Sequence, residues 1–158
     1  MFYNWLKFLH IAAVLGLLAT HGVSMVVMYR IRGERDREKI QSLVTLSGET
    51  VVPMYISIAL IVVFGVWAGF EGQRFDEWWL WASVGILVVT IGLMTAVAKP
   101  YFRRVKEACQ VRPSGVPRVS DQELGEILGG PTAHVITAIG TIGLLSILYL
   151  MVFKPGIV

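Results

Sequence analysis

Four runs of about twenty apolar residues, near 5–29, 50–70, 78–98 and 132–153, constrain this chain more than anything else in its 158 residues. None contains Asp, Glu or Arg, and the one lysine, Lys7, lies close to an edge. At a rise of ~1.5 Å per residue, each run as a helix is long enough to cross a hydrocarbon core of roughly 30 Å. Membrane β-strands would instead be ~10 residues long with alternating polarity. With 55% hydrophobic and 16% charged residues, the chain is too apolar for a soluble enzyme or a nucleic-acid-binding domain. The expectation is an all-α integral membrane protein of one domain over 1–158, a four-helix bundle in up-down-up-down order.

Charge placement orients it. Arg30, Arg32, Arg35, Arg37 and Lys39 lie between the first two runs; Lys99, Arg103, Arg104, Lys106, Arg112 and Arg118 lie between the last two. Those eleven of fourteen basic residues make 30–49 and 99–131 cytoplasmic connections and put both termini on the outer, periplasmic side. The net charge of +3 therefore reads as topology and attraction to anionic lipid, with no nucleic acid as partner. Aromatic residues favour bilayer interfaces and mark the same ends. Tyr3, Trp5, Trp67, Phe70, Trp78, Trp79, Trp81, Tyr149 and Phe153 would girdle one side; Tyr29, Tyr55 and Tyr101 mark the other. The first run lacks a basic leader and a small-residue cleavage signal, so it is expected to remain a mature helix.

The connections have their own local signals. Glu34 to Leu46 mixes charges at helical spacing, and a breaker runs from Pro113 to Pro117. Ser120 followed by Glu123 forms a capping box that starts a short helix ended by Gly129-Gly130. Helix pairs in lipid are brought close by small residues. Gly65-x-x-x-Gly69, Gly92 with Ala96, Ala12 with Gly16, and Thr137 and Thr141 around Gly140 supply them, for bundle packing or for a homodimer or larger membrane complex. Cys109 is the sole cysteine, which rules out an internal disulfide or a thiolate cluster.

Histidine is the residue type with a claim on chemistry. Ionisable groups inside a membrane span are functional candidates by default. His10 and His21 are eleven residues apart, so they share a helix face but stand ~16 Å apart along the axis and cannot bind one ion. Estimated depths put His10 roughly 10 Å to the outer side of the midplane, His21 roughly 6 Å to the inner side and His134 roughly 13 Å to the inner side. A b-type haem, ligated by imidazoles from two facing helices, suits such residues, with His21 and His134 the pair nearest in level and Arg103 or Arg104 able to meet propionates. His10 is left for a second haem or another role. The bland reading, hydrogen bonding across the bundle worth about 1 kcal/mol, stands beside it for each histidine. The spans contain no carboxylate pair, no nucleophile with its base and no phosphate loop, so hydrolase or transferase chemistry has no support.

The opening Trp5-Leu6-Lys7-Phe8-Leu9-His10 and the ending Tyr149-Leu150-Met151-Val152-Phe153-Lys154-Pro155, with four spans between, resemble the bacterial family called domain of unknown function 2269. The start is also similar to copper-resistance D-type membrane proteins and to haem-binding protoporphyrinogen oxidase-type proteins. The first-span histidine shared by the three groups falls on His10. In the oxidase group it is implicated in haem binding, which the resemblance therefore implies for His10. The chain lacks the Trp-x-Gly that follows the histidine in that group and has no lysine inside its later spans, so porphyrinogen oxidation is not carried over. The expectation is a bacterial inner-membrane protein that binds haem b for electron transfer or as a haem-bearing subunit. The alternatives are a cofactor-free accessory or assembly subunit and a copper-handling protein.

Overall fold

A hydrocarbon solvent leaves backbone amides no partner but each other, so apolar runs of this length must close their hydrogen bonds within helices. The computed structural model, which describes residues 1–156, contains six: α1 (Phe2–Arg32), α2 (Arg37–Glu49), α3 (Val51–Glu71), α4 (Trp78–Ala108), α5 (Asp121–Gly129) and α6 (Thr132–Phe153). Four stretches are long and apolar enough to cross a membrane: α1, α2 with α3, α4, and α5 with α6. The all-α four-helix bundle expected from the sequence is what the chain forms.

The helices overrun the apolar runs at the end that carries the long connections, here called the basic end. The charged segment after Lys99 does not leave α4, which continues through Pro100 to Ala108. A proline inside a helix removes one amide donor and clashes with the preceding turn. Pro53, by contrast, lies in the first turn of α3, where the missing amide has no helical acceptor to lose. The mixed-sign stretch expected near Glu34 to Leu46 forms α2, capped by Asp36, whose carboxylate accepts from the amides of Glu38 and Lys39. Ser120 caps α5 as its sequence implies, accepting from Glu123 N at 3.1 Å. Between α4 and α5 the chain makes a small hairpin: Arg118 N donates to Gln110 O, Arg112 N to Val116 O, and Gly115 takes the positive φ of 79° at the tip. Glycine alone adopts that conformation without strain.

Packing within the bundle is uneven. α1 lies along α3 and α4 along α6, whereas α3 makes no close backbone approach to α4 or α6 among the described residues. Both close pairs are antiparallel and set by glycines. In the first, Gly16 faces Ser57 and Gly65 faces His10; in the second, Gly140 faces Met94 and Gly143 faces Thr90. Gly92, expected to do the same, has open space where its side chain would be. Gly69 packs against Phe75 of the following turn and, more loosely, against Leu80 of α4.

The two pairs are joined mainly at the basic end. Val27, Met28 and Ile31 of α1, Ile40 and Val44 of α2, Tyr101 and Val105 of α4, Leu124 and Leu128 of α5 and Ile136 of α6 form one buried cluster. Ile31, Ile40 and Val105 are wholly enclosed in it. A smaller cluster, Ala13, Leu17 and Ile61 with Leu144, also ties α1 to α3 and α6 within the span. At the opposite end aromatic side chains gather: Phe2 on Trp67, Trp5 on Phe8, and Phe75 between Phe70 and Trp81. Lys7 and Lys154 lay their ammonium groups over the rings of Tyr3 and Trp79, so both basic ends of these stems stay in the aromatic layer.

Candidate functional site

An imidazole inside a bundle needs both a place for its ring and a partner for at least one nitrogen. His10 has both. Its ring fills the space over Gly65 of α3, where an added methyl carbon would lie 3.0 Å from Cε1. Its Nδ1 donates to the backbone carbonyl of Ile61 at 2.9 Å. A carbonyl can only accept, so the proton is on Nδ1 and the lone pair on Nε2. That arrangement, one nitrogen tied to a carbonyl and the other free, is the one in which histidine ligates metals, because the tied nitrogen fixes both tautomer and ring angle.

His21 packs on a glycine as well. Its Nε2 faces Gly140 of α6, where a methyl group would come within 2.7 Å of it, and the terminal methyl of Met94 from α4 reaches the same glycine. This is where α1, α4 and α6 meet. His134 lies nearer the basic end on an exposed face, its Nδ1 3.2 Å from the Tyr29 hydroxyl and its ring 5.6 Å from the tyrosine ring.

The structure does not bring His21 and His134 level. His21 stands opposite Gly140 and His134 opposite Tyr29, which separates the two by six residues of α6, or about 9 Å of helix axis. They lie one above the other along the seam between α1 and α6. Arg103 is exposed near the end of α4, and Arg104 lines a cleft at the basic end. From span midpoints both arginines are more than ~30 Å along the membrane normal from His10. Among the described residues no three His, Cys, Asp or Glu side chains gather as a metal-binding group.

Sequence reasoning missed two arginines. Arg37, its side chain 15% exposed, reaches across to the second connection: its guanidinium donates to Ala108 O at the end of α4, to Val119 O after the hairpin, and to Asp121 Oδ1 at the start of α5 at 2.7 Å. Arg32 donates to Gly129 O and Gly130 O, closing the last turn of α5. Together they clasp 99–131 onto α1 and α2. Nothing local distinguishes them from Arg30 or Arg35; only the fold shows which arginines meet open carbonyls. Beside the clasp, Cys109 is buried, and that burial pushes its thiol above the ordinary range. The thiol is correspondingly unreactive. Asp36 and Glu34 move the other way, because backbone amides donate to their carboxylates, Lys39 foremost for Asp36 and Asp36 for Glu34.

Four apolar helices overrunning a bilayer, an aromatic end and a clasped basic end define an integral membrane protein embedded in lipid. The chain belongs to the family described as predicted integral membrane protein, DUF2269, whose family model matches residues 4–155. No curated protein and no solved structure is detectably similar to it.

Proposed function

We propose that the chain is a multi-pass protein of a bacterial inner membrane, with its basic end in the cytoplasm and both termini outside, that carries a b-type haem for electron transfer or as a subunit of a larger complex. The observation that carries the reading is the hydrogen bond from His10 Nδ1 to Ile61 O, which leaves Nε2 free to ligate. Bound haem supplies one-electron chemistry. The Ile61 carbonyl raises the basicity of the ring, and its contact with Gly65 limits ring rotation. Lys7, three residues back on the same helix, turns its ammonium outward over the Tyr3 ring, on the outer side of this histidine; Arg103 and Arg104 suit only a group held nearer the basic end by His21 or His134. The test is haem quantitation on protein purified after haem-replete expression. The reading expects bound haem in stoichiometric proportion, and a chain that remains colourless overturns it.

A second reading is favoured by where the packing is densest. The enclosed cluster and the Arg32 and Arg37 clasp lie at the basic end, away from His10, as suits a cofactor-free accessory or assembly subunit that presents this end to a partner. It expects replacement of His10, His21 and His134 by alanine to leave function intact and charge reversal at Arg103 and Arg104 to abolish it. Metal analysis of the same preparation tests copper handling.

A further inference from the structure

A cleft of about 510 Å³ lies between the end of α4, the hairpin and α5, and Arg37 donates to the carbonyls of two of its lining residues, Ala108 and Val119. Arg104, Arg112 and Arg118 line it with Glu107, Glu123 and Ile127. Among the described residues none of these three arginines forms an ion pair. The two carboxylates in the cleft are likewise unpaired, so its lining carries one net positive charge.

Its position fits a membrane ligand. Arg104 lies six residues beyond Ala98, the last residue of its apolar run, so its backbone is about 9 Å outside the hydrocarbon core. The headgroup layer occupies roughly 5–8 Å on each side, and a side chain of arginine's length snorkels back across the difference.

From this placement we propose that the cleft is a headgroup site for an anionic, hydroxyl-bearing phospholipid of the phosphatidylglycerol type. Its single negative charge matches the net charge of the lining. The phosphodiester accepts from Arg104, Arg112 and Arg118, for which the planar guanidinium is well shaped. Glu107 and Glu123, which would repel a bare phosphate cluster, accept from the glycerol hydroxyls. Ile127, five residues before the start of α6, lies on the side of the cleft nearest the acyl chains. The site is independent of the haem reading and shares no residue with His10.

Native mass spectrometry of the full chain in detergent, titrated with phosphatidylglycerol or phosphatidylcholine, tests it. Phosphatidylglycerol adducts are expected to weaken about tenfold in R104A, R112A and R118A while phosphatidylcholine adducts do not change. The double variant R103A/K106A removes two charges from the same end of α4 but outside the cleft, and is expected to bind as the parent does. Equal weakening in that double variant would mean diffuse surface attraction and would overturn the site. Glycerol 3-phosphate, which has no acyl chains, binding as tightly as phosphatidylglycerol would overturn the assignment to lipid. Should R104A fail to fold, R104K keeps the charge without the planar fork and is expected to lose the same adduct.

Discussion

Histidine and glycine act together in this protein. His10 rests on Gly65 and His21 on Gly140, so each imidazole inside the spans occupies room that a facing glycine leaves. The pattern at 65 and 69 is readable as helix-packing glycine, but the group that uses the space is a histidine 55 residues earlier, and no spacing rule joins the two. The same holds for Arg37. In sequence it is one of five basic residues in a connection and signals orientation; in the fold it donates to two carbonyls and a carboxylate. A guanidinium 15% exposed with such partners cannot be removed without leaving acceptors open. R37A is expected to lose roughly 2–3 kcal/mol of stability, and R37K to recover little of it because a single ammonium cannot fork. D121A is expected to cost far less, since Asp121 is 91% exposed. Thermal melting of the three variants in one detergent checks the order.

Among the elements, the four spans and the α5 capping box were legible because length, hydropathy and a Ser-x-x-Glu pattern are local properties. The extent of α4 was less so: Pro100 and the basic run after it read as the start of a connection, yet the helix persists because Tyr101 and Val105 bury their side chains in the shared cluster. α2 depends on its cap. Amide donation holds the folded Asp36 carboxyl below its ordinary range, so the unfolded chain binds the proton more readily. Stability from this cap is therefore present above the ordinary aspartate range and is lost as pH falls through it toward the lower folded value. Protection factors at Lys39 and Ile40, with the intrinsic exchange rate at each pH divided out, are expected to fall with acid in the parent, and to be low and less pH-dependent in D36A. Equal protection in both proteins at neutral pH would contradict this role.

At the scale of the whole molecule, the chain is two helix pairs clasped at one end. The bundle and the polar connections follow from the sequence, but the pairing of α1 with α3 and α4 with α6 does not, since Leu and Val facing lipid look the same as Leu and Val facing a neighbour. Orientation is the proposal most open to direct test at this scale. Single cysteines introduced by E71C at the aromatic end and S114C in the hairpin are expected to differ in intact bacterial cells. An impermeant maleimide should label the first at once and the second only after permeabilisation, while the native Cys109, buried, stays unlabelled. The reverse pattern would invert the topology.

The central functional claim is that His10 is a ligand held in place for haem iron. Its most direct test is the reduced-minus-oxidised absorption spectrum of the parent and of H10A, H21A and H134A, each expressed with haem in excess and shown to be folded. The account predicts a b-type difference spectrum in the parent that is lost in H10A and retained in H134A, whose imidazole lies exposed against Tyr29. A spectrum that survives H10A unchanged, or one that the parent itself lacks, would contradict it.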